Sequence, residues 1–206
     1  MLFRSQVEHP ITEAITGIDL VEWQLRIAAG EHLTIRQEDV TWTGSAVECR
    51  VYAEDPEMNY MPSPGRIDQL REPSGPGIRL DSGIYAGWTV PMEYDPLLAK
   101  LCAWAGTREA AIDRLDRAIS EYALTGVKTN LALFREILSD TVFRSGKLST
   151  AYLDEFFQRR AATPLDIDAE ATAALVLALT AAERRSSENG SFTSNWAVAG
   201  RREMMR

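Results

Sequence analysis

The chain has 206 residues, 45% hydrophobic, 25% charged and 8% aromatic, the make-up of an ordinary globular protein of one or two domains. It has no run of ~18 apolar residues that could cross a membrane, and MLFRSQVEHP at its start lacks the apolar core of a secretion signal. Thirty acidic residues against 22 basic ones give a net charge of −8, which speaks against nucleic-acid and acidic-membrane partners, since both require a basic surface.

In chain order, residues 10–30 read as helix in two pieces. Pro10 suits a first turn, Gly17 interrupts, and Asp19 caps a second helix with an apolar face of Leu20, Val21, Trp23, Leu25, Ile27 and Ala28. Gly30 stands where a C-terminal stop is expected, and residues 31–45 read as loop. AVECRVYA at 46–53 alternates as a strand, with Val47, Cys49 and Val51 on one face and Glu48, Arg50 and Tyr52 on the other. A loop rich in proline covers 54–65, and short strands are expected near 65–70 and 77–81. The apolar run Leu97–Trp104 fits a buried strand.

Thr107 is positioned to cap a helix through about Tyr122, with Ala111, Ile112, Leu115, Ala118 and Ile119 at helical spacing. Thr129 or Asn130 caps another through Leu138, and Ser149 or Thr150 starts a short one ending near Phe157. Beyond residue 160 the composition turns Ala-rich, with a helical pattern at Ala169–Arg184, then a linker-like SSENGSFTSN and a basic end. The cysteines, Cys49 and Cys102, are single and far apart, which excludes a disulfide scaffold and a CxxC metal knuckle and points to a reducing compartment.

Two places carry chemistry. Arg4, Gln6 and Glu8 alternate within RSQVEHP, so an extended backbone directs all three to one side. A guanidinium fork beside a carboxylate suits a small planar oxyanion, with the carboxylate as a base. The plainer reading is a surface salt bridge beside a helix start, and residue types alone favour it. Arg50, on the polar face of its strand, either points into a cleft or belongs to a solvated face. His9 and His32 form no metal pair, and His9 reads as a cap for the helix that follows. Cys102, in an apolar strand, reads as core rather than as a nucleophile. There is no GxxxxGKS loop, no GxGxxG after a strand and no GxSxG elbow.

Longer stretches carry more information. QVEHPITEAITGIDLVEWQLRIAAGEHL, AVECRVYAEDP, PSPGRI, DSGIYAGWTVPMEYDPLLAKLCAWAGTREAAIDRL and GVKTNLALFREIL stand in one order across residues 4–158. Together they resemble the end of the ATP-grasp region and the C-terminal domain of biotin carboxylases, which serve acetyl-CoA, propionyl-CoA and related acyl-CoA carboxylases. The resemblance implies an α+β fold in three parts. Residues 1–34 would be a helical remnant of the ATP-grasp domain. Residues 35–160 would be the biotin carboxylase C-terminal domain, mixed strands closed by helices. Residues 161–206 would be a helical or flexible tail.

It also implies a reaction. Bicarbonate and ATP give carboxyphosphate, and the CO2 passes to N1′ of biotin on a separate carrier domain. By motif match, Arg4, Gln6 and the backbone amide of Val7 would hold bicarbonate. Glu8 would be the general base, and Arg50 would steady the enolate-like oxygen of the biotin ureido group. The implied cofactors are ATP, Mg2+ or Mn2+ and carrier-borne biotin. The implied partners are the carrier domain, a carboxyltransferase and a second copy through the C-terminal domain, in the cytoplasm.

The chain departs from the family pattern at its start. Leu2 stands where an asparagine is usual, Ser5 replaces an apolar residue, and the glutamate metal ligand has no counterpart. No AMKM-type biotinylation motif is present. The expectation is therefore a fragment without its ATP-binding lobes, holding no metal and binding no cofactor tightly, inactive alone and with loosely anchored first residues. The rival expectation is a non-catalytic assembly or dimerisation module of the same descent.

Overall fold

A computed structural model describes residues 8–93 and 95–161. The chain divides into two compact units, residues 1–150 and 151–206.

The first unit opens with α1 (His9–Thr16) and α2 (Leu20–Ala28). Glu8 holds the N-cap position of α1 without a side-chain cap, and His9 is the first helical residue. His9 therefore does not cap the helix; a residue inside the first turn is past the position from which a side chain reaches back to the free N–H groups. Gly17 ends α1 in the left-handed conformation at φ 71°, and Asp19 caps α2 by accepting from the Glu22 amide. The apolar residues of α2 do not form a core face. None of them is buried, and Val21, Leu25 and Ile27 stand exposed.

The central element is a three-stranded antiparallel sheet. Strand β1 (Ser45–Tyr52) is followed by the short β2 (Glu54–Asp55), β3 (Met61–Pro62), β4 (Gly65–Arg66) and β5 (Gln69–Arg71). Then come β6 (Ile78–Ser82), β7 (Thr89–Val90) and β8 (Leu97–Ala105). The sheet order is β1-β8-β6, with Glu48 opposite Cys102, Arg50 opposite Lys100, and Asp81 also opposite Lys100. The remaining short strands pair as hairpin-sized ladders, β2 with β3 and β4 with β7.

Helix α3 (Arg108–Glu121) starts where Thr107 accepts from the Ala110 amide. It buries Ala111, Ile112, Leu115, Ala118 and Ile119 against Val47, Cys49, Val51, Leu101 and Ala103 of the sheet. These residues interlock because a strand's alternate side chains face one way while a helix repeats every three to four. Strand β9 (Ala123–Thr125) pairs with β5, and α4 (Leu131–Ser139) and α5 (Thr141–Arg144) complete the layer. Gly126, at φ 100°, lies so close to the Arg66 carbonyl that no Cβ fits. A second small core gathers Ala53, Ile67, Val90 and Leu98.

In the second unit, α6 (Tyr152–Ala161) has Asp154 and Glu155 in its first turn and Arg159 and Arg160 in its last, the arrangement that suits the helix dipole. The Tyr152 and Phe156 rings stack at 6.0 Å. The helix expected at Ala169–Arg184 and the rest of the tail lie outside the described residues.

Candidate functional site

The sheet has a second face. Glu48, Arg50, Lys100, Cys102, Arg79 and Asp81 project from it, since they alternate with the residues that pack under α3. α1 lies along this face. Its Glu13 carboxylate accepts from Arg79 at 2.5 Å, and the Ile15 carbonyl accepts from the Thr43 amide at 2.8 Å.

Arg50 is the pivot. Its Nη2 lies 3.6 Å from Glu8 Oε2, and its Nε lies 3.6 Å from Glu48 Oε1. Both distances are attractive contacts just beyond hydrogen-bond range. Arg50 is 41% exposed and Glu8 61%, whereas the Glu48 side chain is only 8% exposed. A cation and a carboxylate open to solvent can receive an oxyanion and a proton. Burial pushes the Glu48 carboxyl above the usual range, and the charges of Arg50 and Lys100 partly oppose the rise.

The backbone under Arg50 is fastened by a residue far along the chain. The register between β1 and β8 slips at Val51/Tyr52. There the buried Asn130 donates from Nδ2 to the Arg50 carbonyl at 3.1 Å and accepts from the Tyr52 amide at 3.0 Å. Asn130 occupies the N-cap position of α4, yet its side chain caps nothing there. It serves β1 instead, because a broken ladder leaves buried backbone groups that must find partners.

The neighbouring ions form a chain. Asp81 accepts from Arg79 at 2.9 Å and lies 3.5 Å from Lys100. Burial raises the Asp81 carboxyl, but Arg79 and Lys100 outweigh it and hold it below the usual range. A groove of about 350 Å³ runs between Glu13, Ala14, Arg79, Cys102 and Trp104. Cys102 lines it, but burial pushes its thiol up to about 12, so it is no nucleophile near neutral pH. Burial drives Cys49, under α3, higher still.

Of the residues singled out in the sequence, Glu8 and Arg50 come together. Arg4, Gln6 and Val7 lie outside the described residues. Among the described residues no group of three or more His, Cys, Asp or Glu side chains is placed to hold a metal ion. No described helix is long and apolar enough to cross a membrane. Sequence reading placed Glu48 on the same strand face as Arg50 but missed Lys100 and Asn130 as its neighbours. Nothing local hinted at Asn130.

Comparison with known proteins gives the family of the chain. Residues 48–155 match the family described as biotin carboxylase C-terminal domain, and residues 1–36 match the ATP-binding domain of the carbamoyl-phosphate synthase large chain. Glu8 thus comes from the second matched segment and Arg50 from the first. The chain is 49% identical to a biotin carboxylase of Haemophilus influenzae over 152 residues, covering 74% of this chain and 34% of the relative. It is 46% identical to a pyruvate carboxylase subunit from Methanothermobacter thermautotrophicus over 153 residues, 74% of this chain and 31% of the relative. It thus spans about a third of the curated relatives it matches.

Among solved structures, the biotin carboxylase domain dimer of the Hydrogenobacter thermophilus 2-oxoglutarate carboxylase, in complex with MgADP, ADP and bicarbonate, superposes with a TM-score of 0.72. Identity there is 47%, covering 75% of this chain and 34% of that one. The biotin carboxylase subunit of pyruvate carboxylase gives 0.73 at 46% identity, covering 76% and 35%.

Proposed function

The chain belongs to the biotin carboxylase family, and on that premise we propose that it is part of an ATP-dependent enzyme that carboxylates biotin with bicarbonate for a larger carboxylase. The observation that carries this reading is the open Arg50–Glu8 pair, 3.6 Å apart, drawn from the two segments that match two neighbouring families.

In this reading the Glu8 carboxylate accepts the proton of bicarbonate, and the anion that remains sits against a guanidinium. Arg4, Gln6 and the Val7 amide complete the bicarbonate cradle. Arg50 holds the oxygen of the biotin ureido group while negative charge gathers on it, the place where a fixed cation contributes most.

Phosphoryl transfer depends almost wholly on placing the triphosphate and its Mg2+. Only residues 1–36 match an ATP-binding domain, and the chain spans about a third of its relatives. We assign the rest of the ATP and Mg2+ site to the portion of the relatives that this chain does not span, and take the 206-residue chain alone to be inactive. Its partners in the working enzyme are a biotin carrier domain, a carboxyltransferase and a second copy of this domain. The free, buried thiols of Cys49 and Cys102 accord with a cytoplasmic setting.

The experiment is complementation. The chain is mixed with the ATP-binding portion of the Haemophilus influenzae relative, free biotin, ATP and bicarbonate, and bicarbonate-dependent ADP release is followed. Release is expected from the mixture, not from either piece, and loss of two or more orders of magnitude in R50A or E8Q mixtures. Release by the chain alone would overturn its assigned inactivity. Full release by the R50A mixture would remove Arg50 from the mechanism.

A further inference from the structure

Glu48 has a feature that its place in a strand does not require. Its side chain is 8% exposed, and neither carboxylate oxygen has a hydrogen-bond partner. A buried carboxylate whose oxygens lack hydrogen bonds lowers stability, and a neutral side chain of the same shape would serve packing better. The cost calls for a reason beyond packing.

Three basic groups act on it: Arg50, Lys100 and, most weakly, His9. Lys100 stands on the neighbouring strand but is shared with Asp81 at 3.5 Å. Arg50, two residues along the same face of β1, brings Nε to 3.6 Å. Glu8 approaches the same guanidinium from the solvent side, at Nη2. The two carboxylates thus address different nitrogens of one planar fork. The inner one is shielded from water and the outer one is not, so the inner attraction is weakened less by solvent and salt.

We infer that Glu48 is the positioning residue for Arg50: it holds the Nε edge of the guanidinium from below and so presents the outer nitrogens to Glu8 and to the incoming anion. This rests on the reading of Arg50 as an anion-binding arginine. When Glu8 turns to its proton, Arg50 keeps a second anchor and does not swing away. A planar fork suits this division, since one edge is held while the other still donates two hydrogen bonds.

The test uses the 15N-labelled 206-residue chain and its E48Q variant. The Nε–Hε signal of Arg50 is assigned by its loss in R50K. Arg144, whose Nε donates to the Leu138 carbonyl at 2.8 Å, serves as an internal control.

In E48Q, exchange of the Arg50 Hε with water is expected to rise about tenfold, with Arg144 unchanged and the melting temperature equal or higher. Unchanged Arg50 exchange overturns the inference. So does an equal rise at Arg144, or a fall in melting temperature without a change at Arg50, because either marks a merely structural residue. A titration with bicarbonate and free biotin together separates the two readings. If the pair moves no signal near Arg50 in the unsubstituted chain, the anion-site reading fails, while the exchange comparison still decides the role of Glu48.

Discussion

The two faces of the β1-β8-β6 sheet are built from the same strands and do opposite things. Under α3, every projecting side chain is aliphatic, small or a thiol, and the layer is dry. Under α1, the same strands project Glu48, Arg50, Lys100, Arg79 and Asp81, linked to Glu13 and Glu8 of the helix segment. Burial of apolar surface on the first face offsets the chain entropy lost on folding. That leaves the second face able to carry charges that stabilise little by themselves. A period of two residues is enough to separate stability from chemistry within a single strand.

The comparison breaks first on the dry side. Leu101 is wholly buried in the central strand, and L101A is expected to lower unfolding free energy by about 2–5 kcal/mol in a urea melt. If the loss is under ~1 kcal/mol, α3 and the sheet are not the main stabilising layer. Next comes the fastening between the two sides. N130A removes both bonds to β1 and leaves buried backbone groups unpaired, at an expected cost of about 1–3 kcal/mol. The same melt checks this, and amide exchange at Tyr52 is expected to quicken.

On the charged side the sign reverses. Burial raises the Glu48 carboxyl, with Arg50, Lys100 and His9 opposing. The folded state therefore binds this proton more readily than the unfolded chain does. The stability gained is fully present below the ordinary glutamate range and is lost as pH rises through the folded value. Melting temperature followed from mildly acid to neutral pH is expected to show this fall in the unsubstituted chain and less of it in E48Q. A steeper fall in E48Q would reverse the assignment. The smallest effect belongs to the outer surface. Arg117 and Glu121 pair at 2.6 Å, one turn apart on the outer face of α3, and R117A is expected to cost at most ~0.5 kcal/mol in the same melt.

Sequence pattern was informative where one residue's surroundings decide its role. Alternation in AVECRVYA separated the core side of β1 from the Arg50 side, and helical spacing picked out all five buried residues of α3. In β8 the pattern failed. The run LLAKLCAWA is apolar on both sides, so it marked Cys102 as buried but could not place it on the ionic face, under α1. Glu48 looked like a solvated strand residue because charge predicts exposure, and only the covering helix makes it otherwise. α2 looked like a buried amphipathic helix, yet none of its apolar residues is buried among the described residues. Asn130 carried a cap signal and spent its side chain elsewhere, through bonds to residues some eighty positions earlier. No local window contains that information.

The strand order β1-β8-β6 has a consequence in time. The central strand is the last of the three to be made, and Ser45 waits for Ala105 before its ladder closes. Pairing over such a span is slow, because loop entropy is lost before the contacts form. A chain leaving the ribosome holds Glu8 and Arg50 long before β8 and Asn130 exist to seat them. Until then β1 is an open edge able to pair with another chain. The arginine of the site is thus made well before the strand that fixes it, and a pause in synthesis between residues 52 and 97 would prolong the time β1 stands without its partner.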